Sequence, residues 1–450
     1  MDGSTGSNRL ERFMQALCER TPHEREFHQA VRDVYCDVLP LIESQPRYRD
    51  AALAERLCEP ERVIGFRVTW QDDDGAVHVN RGWRVQFNGA IGPYKGGLRF
   101  EPGVNLSVLK FLGFEQSFKN ALTGLPMGGA KGGADFDPRA RSEAEIRRFC
   151  EAFMMELHRH IGHDTDVPAG DVNVGPREIG WMFGAYRRIT NRFEGAITGK
   201  QLSFGGAEMR MEATGYGLVH FVCRMLGRED DSLEDKRVAI SGAGDVATYA
   251  AEKAIALGAR VVALSDSGGA AFSKDGFEQA DIDALRACKA EGGSLERFAK
   301  ERSCDYRDGA ASWGTKHDVA LPCAIENEVG EDAARTMIDQ GCRLVAEGAN
   351  MPLTPEALKV IRKAGLDYAP AKAANAGGVA VSGLEIVQNR QARAIEREEI
   401  RRSLNDIMGE IHDRCAREGE TSDGRVNYAR GANIASFKTL ADAMVGPGLY

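Results

Sequence analysis

Near the amino terminus, apolar side chains recur every three or four residues, with charged residues between them. The positions with this spacing are Leu10, Phe13, Met14, Leu17, Val31, Val34, Tyr35 and Val38. A period of 3.6 residues is typical of helices that bury one face, so the segment from Asn8 to about Pro60 is predicted to be helical. Each apolar stripe either closes the local domain or meets another subunit.

The pattern then changes to strict alternation of apolar and polar residues. Trp83, Val85 and Phe87 alternate with polar neighbours, which is typical of a half-buried strand. Residues Val63–Trp70 and Val77–Asn88 are therefore predicted to form a hairpin around a turn at residues 72–75. Helical spacing returns in two later segments, Leu106–Leu122 and Glu143–His160.

A strand predicted over Arg237–Ser241 runs directly into Gly242-Ala243-Gly244-Asp245-Val246-Ala247. A helix over Val246–Leu257 and a strand over Arg260–Ser265 follow, and Asp266 stands 24 residues after the first glycine. This spacing is typical of a dinucleotide-binding turn, in which the glycines shape the turn and admit the pyrophosphate, and the helix start attracts phosphate. The alternative is a purely structural strand–helix turn. Other elements predicted in this half are a helix from about Glu212 and strands over Val319–Leu321 and Leu344–Ala346.

Length and composition limit the number of domains, the possible partners and the location of the protein. A chain of 450 residues with 43% hydrophobic residues exceeds what one core usually organises, so we expect two domains. The net charge of −9, without a basic block, argues against nucleic acid as a partner. We also expect no membrane segment and no export, since no apolar run approaches the ~18 to 20 residues that span a bilayer. Ten scattered cysteines without a Cys-x-x-Cys pair are typical of reduced cytosolic thiols.

Lys131 lies in the stretch Gly124–Gly133, where five of ten residues are glycine. We expect a loop whose backbone holds the amine with little side-chain cover, because glycine permits tight turns and close approach to a ligand. A lysine removed from water has a lowered pKa and can act near neutrality. The alternative is a flexible surface loop with a solvated lysine.

Six blocks in order along the chain carry a resemblance to a known family. They are Pro93–Phe100 (PYKGGLRF), Gly113–Asn120 (GFEQSFKN), the Lys131 stretch, Asp166–Asp171 (DVPAGD), Glu212–Gly217 (EATGYG) and Ala373–Val379 (AANAGGV). Through these blocks the chain resembles the hexameric glutamate dehydrogenases over nearly its whole length.

The resemblance implies an α/β fold of two domains with a cleft between them that closes during turnover. Residues 1–205 are expected to form an α/β substrate-binding and assembly domain, and residues 206–426 a Rossmann-like nucleotide-binding domain. Residues 427–450 are expected to return to the first domain. The resemblance further implies a cytoplasmic homohexamer that acts in nitrogen assimilation.

The resemblance also assigns roles to single residues. Lys131 is expected to be the catalytic lysine and Asp171 the general acid/base. The expected substrate-binding residues are Lys95 and Ser382 for the side-chain carboxylate, Lys119 and Gln116 for the α-carboxylate, and Gly170 and Asn375 around the amino group. The expected cofactor-binding residues are Thr214, Gly242, Gly244, Asp245, Val246, Asp266, Ser267, Lys289, Asn350 and Asn375.

These roles describe reversible oxidative deamination of L-glutamate to 2-oxoglutarate and ammonium. Three lysines match the charge of a substrate with two carboxylates, and neighbouring cations push Lys131 toward neutrality. Lys131 is expected to assist water attack on an iminium while Asp171 shuttles protons. In the alternative readings Asp171 caps its own turn and Lys95 is a solvated turn lysine.

Other functions stay open. A binding or regulatory relative would hold dinucleotide or glutamate without turnover, although it would have no need of Lys131 and Asp171. A dehydrogenase for leucine, valine or phenylalanine would lack the cation and hydroxyl that Lys95 and Ser382 supply. No metal site is expected, because the histidines of the segment His158–Asp164 do not have helical i, i+4 spacing. Cys323 is expected to be a buried apolar thiol.

The expected cofactor is NADP, with NAD or dual use as the alternative. Ser267 can donate to a 2′-phosphate that Asp266 would repel, and Lys289 stands where NADP-using relatives have a phosphate-binding cation. Against NADP, the arginine expected three residues later is Gly292. Asp245 replaces the usual asparagine of the glycine turn, so it either repels the pyrophosphate or caps the helix.

A further departure from the family pattern is Met211, which stands where relatives have a proline. The absence of that ring is expected to loosen the turn into the second domain.

Overall fold

The computed structural model describes residues 3–448 and divides the chain into two compact units. Unit 1 comprises Met1–Glu208, Ser382–Arg397 and Asn433–Tyr450, and unit 2 comprises Met209–Val381 and Glu398–Ala432. Residues 382–397 therefore group with unit 1, although they lie inside the segment expected to bind nucleotide.

Unit 1 begins with helices, as its amino-terminal periodicity predicts. Its elements from residues 3 to 208 are α1 (Gly3–Arg20), α2 (Arg25–Ser44), α3 (Pro46–Arg49), α4 (Leu53–Leu57), β1 (Arg62–Gln71), β2 (Val77–Asn88), β3 (Tyr94–Phe100), α5 (Leu106–Leu122), β4 (Gly129–Ala134), α6 (Glu143–Leu157), β5 (Asp166–Gly170) and α7 (Pro176–Thr190). The helix over 106–122 has its predicted bounds, and a short 3-10 turn at His158–His160 ends the predicted 143–160 segment.

The five strands of unit 1 form one sheet in the order β1-β2-β4-β3-β5. The predicted hairpin is confirmed, since β1 and β2 pair antiparallel from Arg62 opposite Gln86 to Gln71 opposite Val77. Strand β4 is antiparallel to β2, whereas β3 is parallel to both β4 and β5. Strand β3 therefore has its carboxyl end beside those of β4 and β5, which is where side chains from separate parts of the sequence can meet.

The prediction that Lys131 lies on a loop is wrong, because the glycine-rich segment forms strand β4 in the middle of the sheet. Its glycines serve close packing. A Cβ on Gly129 would lie 2.0 Å from the Ser117 hydroxyl, and one on Gly133 would lie 2.2 Å from the Arg99 carbonyl oxygen. Glycine therefore lets helix α5 and strand β3 approach the strand that carries Lys131.

Two hydrophobic clusters cover the sheet. One joins Phe27 of α2 and Phe114 of α5 to Phe87 of β2. The other joins Phe149 of α6 and Met182 of α7 to residues of β1 and β3. Because side chains alternate along a strand, the two faces of the sheet pack against different helices.

Unit 2 contains a seven-stranded sheet in the order β12-β11-β10-β6-β7-β8-β9. Its strands are β6 (Arg237–Ile240), β7 (Arg260–Asp266), β8 (Gly269–Phe277), β9 (Asp305–Asp308), β10 (Val319–Leu321), β11 (Leu344–Ala346) and β12 (Asp367–Ala369). Strands β6, β7, β10, β11 and β12 are parallel, and β8 and β9 form an antiparallel edge. The predicted strands at 237, 260, 319 and 344 are confirmed, and the unit has the Rossmann-like α/β fold that the nucleotide turn indicates.

Helices alternate with these strands. They are α8 (Ala213–Gly227), α9 (Asp245–Ala256), α10 (Gln279–Ala290), α11 (Leu295–Arg302), α12 (Glu331–Asp339), α13 (Pro355–Ala364) and α14 (Ala371–Ala374). Helices α15 (Gly377–Gln391), α16 (Arg397–Gly419) and α17 (Tyr428–Val445) complete the chain. None of the helices within residues 3–448 has the length and apolar character that a membrane span requires.

Candidate active site

Three neighbouring strands of unit 1 carry the residues that are expected to bind and process a substrate. Lys95 lies on β3, Lys131 lies on β4, and Asp171 directly follows Gly170 at the end of β5. Both lysines are buried, with 3% and 5% of their surface exposed. The readings of Lys131 and Lys95 as solvated loop and turn lysines are therefore wrong.

Asp171 is the centre of a charged cluster. Its Oδ2 lies 3.1 Å from Nζ of Lys131 and accepts a 2.8 Å hydrogen bond from Nε of Arg99. Gly97 leaves room for this cluster, since a Cβ there would lie 2.8 Å from the Asp171 Cβ. Asp171 therefore pairs with two cations on adjacent strands. The sequence reasoning missed Arg99, although its place four residues after Lys95 on one strand puts both on the same face.

Burial and charge set the protonation of this cluster. Burial is the main cause that lowers the pKa of Lys131; the guanidinium of Arg99 lowers it further, and Asp171 opposes the change. Burial raises the pKa of Asp171, but Lys131 and Arg99 together outweigh it and hold that pKa at about 2. A carboxylate that is ionised in the resting site thus lies beside an amine that loses its proton more readily than a solvated lysine.

A second buried ion pair lies within the same sheet. Arg84 of β2 donates to both carboxylate oxygens of Asp166, at 2.9 and 2.5 Å, and neither side chain is exposed. Arg84 also donates to the carbonyl oxygen of Gly96 at 3.0 Å. The pair links β2, β3 and β5, and its guanidinium helps to lower the pKa of Lys131. Sequence reasoning missed this pair, because its members are 82 residues apart.

Helix α5 brings polar groups to the backbone of β3. Nδ2 of Asn120 donates to the carbonyl oxygens of Lys95 and Gly128, at 3.1 and 2.5 Å, and Nε2 of Gln116 donates to Oδ1 of Asn120 at 2.6 Å. A Cβ on Gly96 would lie 3.3 Å from the Gln116 side chain, so this glutamine lies over the Lys95–Gly96 segment. Lys119 is half-buried on the same helix. Asn120, which sequence reasoning missed, connects this helix to Lys95.

Ser382 enters unit 1 on helix α15. The next residue, Gly383, packs against the segment before β4, since a Cβ there would lie 2.5 Å from the Leu125 side chain. Glu385, one turn of helix further, forms a fully buried pair with Lys200 at 2.7 Å. Ser382 itself is 3% exposed and is the first residue of this segment that groups with unit 1.

Thr198 is a further candidate that sequence reasoning missed. Its backbone N–H donates to the carbonyl oxygen of Pro168 on β5 at 2.9 Å. Its hydroxyl is buried and has no hydrogen-bond partner among residues 3–448. A buried hydroxyl without a partner is costly, so this oxygen is suited to a ligand. A threonine before a glycine gives no such signal in sequence.

In unit 2 the glycine turn has the geometry of a dinucleotide site. Gly242 has a φ of +89°, and a Cβ there would lie 3.1 Å from the carbonyl oxygen of Cys323. No described atom lies within 4 Å of the Cβ position of Gly244, so a ligand can approach this backbone closely. Helix α9 begins at the next residue, Asp245, and directs the N–H groups of its first turn, which includes Val246, toward the same place.

Asp266 ends β7, where a ribose is expected. It accepts a 2.7 Å hydrogen bond from Nζ of Lys289 and 2.9 Å bonds from the backbone N–H groups of Leu295 and Gly268. Burial raises its pKa, but Lys289 and the two N–H groups outweigh burial and lower it. Lys289 therefore neutralises the carboxylate that would otherwise repel a 2′-phosphate. Ser267 is exposed beside it.

Thr214, Asn350 and Asn375 lie on other elements of unit 2. A Cβ on Gly378 would lie 2.5 Å from the Thr214 hydroxyl, so this hydroxyl faces the turn of chain after Asn375. Nδ2 of Asn375 donates to the carbonyl oxygens of Gly348 and Ala349 and to Oδ1 of Asn350, at 3.1 to 3.3 Å. The structure thus brings the two asparagines together.

Asp245 is exposed at the first position of α9. Within the described residues its carboxylate makes no hydrogen bond to the helix start, so it is not a hydrogen-bonded cap, although as the acidic residue of the first turn it lies at the positive end of the helix dipole. The pKa of Asp245 is raised: partial burial is the main cause and Glu212 adds to it, while Arg286 and Arg210 act in the opposite direction.

Cys323, which follows β10, is a buried thiol whose pKa is raised by burial, which confirms the prediction for that residue.

Comparison with known proteins finds matches to one protein family in both units. Residues 60–188 match the family described as Glu/Leu/Phe/Val dehydrogenase, dimerisation domain, and residues 205–448 match Glutamate/Leucine/Phenylalanine/Valine dehydrogenase. The chain is 54% identical over 441 residues to the NADP-specific glutamate dehydrogenase of Salmonella typhi, which covers 98% of each chain. It is 49% identical over 438 residues to the NAD(P)-specific glutamate dehydrogenase of Xylanibacter ruminicola, which covers 97% of this chain and 99% of that relative.

A solved structure of Plasmodium falciparum glutamate dehydrogenase is 43% identical and has a TM-score of 0.96, with 99% of this chain and 96% of that chain covered. The fold, the spacing of the site residues and these likenesses agree over nearly the full length. The chain therefore belongs to the glutamate, leucine, phenylalanine and valine dehydrogenase family.

Proposed function

We propose that this chain is a glutamate dehydrogenase that interconverts L-glutamate with 2-oxoglutarate and ammonium, with NADP as its cofactor. The observation that carries the proposal is the buried pair of Lys131 and Asp171, 3.1 Å apart, beside a third charged group, Arg99, on the sheet of unit 1. A buried lysine with a lowered pKa is the chemistry that imine formation and hydrolysis need.

The charges of unit 1 suit a dicarboxylate. Lys95 and Ser382 are assigned to the side-chain carboxylate, and Lys119 and Gln116 to the α-carboxylate. Both Lys95 and Ser382 are 3% exposed. A leucine, valine or phenylalanine substrate has no second carboxylate for the Lys95 ammonium to bind, whereas glutamate has one. This argues for glutamate over the apolar amino acids.

The reaction exchanges the amino group for a carbonyl. The α-hydrogen of glutamate would leave as hydride, for which bound NADP would supply the acceptor. In its neutral form, Nζ of Lys131 takes a proton from the water that adds to the iminium carbon. The Asp171 carboxylate, 3.1 Å from Nζ, relays that proton to the amine, which the carbonyl oxygen of Gly170 orients and which leaves as ammonia when the C–N bond breaks. As the carbonyl forms, the now neutral Lys131 takes the hydroxyl proton of the adduct. In the opposite direction the same groups admit ammonia.

Unit 2 is assigned to the cofactor. The α9 helix start and the open Gly244 backbone suit the pyrophosphate, Ser267 and Lys289 suit the 2′-phosphate, and Thr214, Asn350 and Asn375 suit the nicotinamide end. The ion pair between Lys289 and Asp266 favours NADP, because it offsets the negative charge at the ribose. Glu291 is exposed, and position 292 has a glycine where an arginine is expected. The site is therefore also compatible with some use of NAD.

The proposed assembly is a homohexamer in the cytoplasm. Support comes from the family description of residues 60–188 as a dimerisation domain and from apolar residues that unit 1 exposes on its hairpin, Val63, Val77 and Val79. Light scattering during gel filtration tests this proposal, which requires a particle of six 49.0 kDa chains.

Steady-state rates test the proposed function directly. The purified enzyme is assayed with NADPH or NADH, each with ammonium and one of four 2-oxo acids: 2-oxoglutarate and those of leucine, valine and phenylalanine. We expect 2-oxoglutarate with NADPH to give the highest kcat/KM. Preference for an apolar 2-oxo acid would refute glutamate as substrate, and binding of NADPH without turnover would favour a binding protein.

A further inference from the structure

A buried carboxylate follows strand β11 in unit 2. Glu347 is 3% exposed, and its Oε2 accepts a 2.7 Å hydrogen bond from the backbone N–H of Ala371. The backbone N–H of Leu353 and the hydroxyl of Tyr368 also favour the charged form of this carboxylate and so lower its pKa. Three donors therefore act on one side chain, and the N–H of Ala371 does so through the 2.7 Å hydrogen bond. A carboxylate has two acceptor oxygens for them, whereas an amide has one.

These bonds tie together the two segments that carry the cofactor asparagines. Helix α14 is only four residues long, from Ala371 to Ala374. Its first N–H is bound by Glu347, and the residue after its last turn, Asn375, binds back to the carbonyl oxygen of Gly348. The loop after β11 and the short helix are thus joined at both ends of the helix.

Other contacts hold the loop after β11 against the residues that follow β10. The backbone N–H groups of Gly348 and Ala349 donate to the carbonyl oxygen of Pro322 at 2.8 and 2.9 Å. A Cβ on Gly348 would lie 2.4 Å from Sγ of Cys323, so the loop rests directly on the end of β10. The contacts of Glu347 then decide where α14 and Asn375 lie relative to this fixed loop.

We propose that Glu347 is a positioning residue for dinucleotide binding, because it holds Asn350 and Asn375 in the one arrangement in which both amides meet the cofactor. The inference rests on the proposed function and names a residue to which no role has been given. Glu347 acts through the two asparagines.

The same contacts make cofactor binding sensitive to pH. Burial is the main cause that raises the pKa of Glu347 to about 7, while its three donors and the charge of Lys372 act in the opposite direction. The pKa of Tyr368, which faces it, is raised well above the usual value by burial, so that hydroxyl keeps its proton. Protonation of Glu347 replaces an acceptor with a donor and weakens the ties to α14. Binding of NADPH should therefore weaken as the pH falls through about 7.

Four forms of the full-length enzyme test the inference: wild type, Glu347→Ala, Glu347→Gln and a control, Asp318→Asn. Asp318 also binds a backbone N–H, that of Arg237 at 2.9 Å, but it lies at the opposite end of the sheet strands. The measurements are NADPH affinity by fluorescence titration at pH 6 and pH 8, KM values for NADPH and 2-oxoglutarate, and thermal unfolding.

At pH 8, Glu347→Ala is expected to weaken NADPH binding about 10-fold or more, and Glu347→Gln about 3-fold, since one acceptor oxygen restores part of the network. KM for 2-oxoglutarate should change less than KM for NADPH, since only Asn375 is also expected near the amino group of the substrate. The wild type should bind NADPH less tightly at pH 6 than at pH 8, and Glu347→Gln should show a smaller difference. Asp318→Asn should keep wild-type affinity even if it unfolds at a lower temperature.

Wild-type NADPH affinity in folded Glu347→Ala would overturn the positioning role. So would equal weakening in Asp318→Asn, which would mean that general destabilisation is the cause. If the wild type does not bind NADPH at all, the proposed function itself fails, and the inference fails with it.

Discussion

Lys110 and Lys131 are both buried in unit 1, yet their surroundings differ. Nζ of Lys110 lies 2.6 Å from Glu24 and over the ring of Phe27, so its charge is matched. Lys131 pairs with Asp171, which also accepts a hydrogen bond from Arg99; burial is the main cause that lowers the pKa of Lys131, Arg99 and Arg84 lower it further, and Asp171 opposes the change. Both lysines are buried, and the two guanidinium groups near Lys131 distinguish the catalytic candidate from the structural one.

Lys131→Ala is expected to reduce kcat by about 1,000-fold, because the proton acceptor for the attacking water is lost. NADPH affinity should persist, since the assigned cofactor residues are in unit 2. Stopped-flow or steady-state rates together with a binding titration measure both quantities. Lys110→Ala is the matched control, which should lower the melting temperature and keep kcat. A Lys131→Ala enzyme with most of its activity would refute the assigned role.

Lys95→Leu is expected to weaken 2-oxoglutarate and to improve apolar 2-oxo acids, because a leucine replaces the cation assigned to the side-chain carboxylate. The loss for 2-oxoglutarate should be about 2 kcal/mol or more, the usual range for a charged hydrogen bond. Competition between 2-oxoglutarate and the 2-oxo acid of leucine measures the change in kcat/KM. Unchanged selectivity would remove Lys95 from this role.

Asp245→Asn is expected to tighten NADPH binding about 5-fold, since removal of one negative charge near the pyrophosphate is worth about 1 kcal/mol in water. Asp235→Asn is the control for the change in net charge. Asp235 precedes β6, at the end of that strand opposite to the glycine turn, and its carboxylate lies 3.5 Å from Arg260. The gain should shrink in high salt. Weaker binding in Asp245→Asn would show that the carboxylate assists the cofactor.

Helices and strands could be predicted from the sequence where their apolar side chains recur at a regular spacing. Helix α5 and strands β10 and β11 have the bounds that their apolar spacing indicates. Strand β4 was missed, because Gly129, Gly132 and Gly133 have no side chains that could alternate between faces. The Arg84–Asp166 pair and Thr198 were missed for another reason: their burial depends on strands that are distant in sequence. The family resemblance supplied the candidate residues, but the spacing of residues along the chain did not show that Lys95, Lys131 and Asp171 lie on neighbouring strands of one sheet.

Gly96→Ala tests the packing of these strands. A Cβ on Gly96 would lie 1.6 Å from the carbonyl oxygen of Ala130, so β3 and β4 would have to separate. We expect a loss of about 3 kcal/mol or more in the free energy of unfolding and a loss of activity, since overpacking and backbone shifts both contribute. Gly103→Ala is the control, with no described atom within 4 Å of its Cβ position. Denaturant unfolding measures the free energy of unfolding of both variants. Equal stability of Gly96→Ala and Gly103→Ala would contradict the prediction.

For the whole molecule, Glu347 is expected to make stability fall as the pH rises from about 4.5 to about 7. Its pKa is higher in the folded protein than its ordinary value of 4.5, so the folded state holds a proton that the unfolded state has already lost. Unfolding is then favoured by raising the pH, by up to about 3 kcal/mol across this window. This sign is opposite to that expected for cofactor binding.

Thermal unfolding at pH 5 and pH 8 measures this effect in the wild type and in Glu347→Gln. The variant should have the smaller difference between the two pH values, since it cannot titrate. Equal differences in the two proteins would show that other groups dominate the pH dependence of stability.

The order of the chain has a consequence for biosynthesis. Unit 1 takes in residues 382–397 and 433–450, so a ribosome makes the last residues of unit 2 before unit 1 is complete. Until Glu385 emerges, Lys200 lacks its buried counterion. The nascent amino-terminal segment must therefore wait for residues 382–397 and 433–450, and a chain that stops before them is expected to leave unit 1 incomplete.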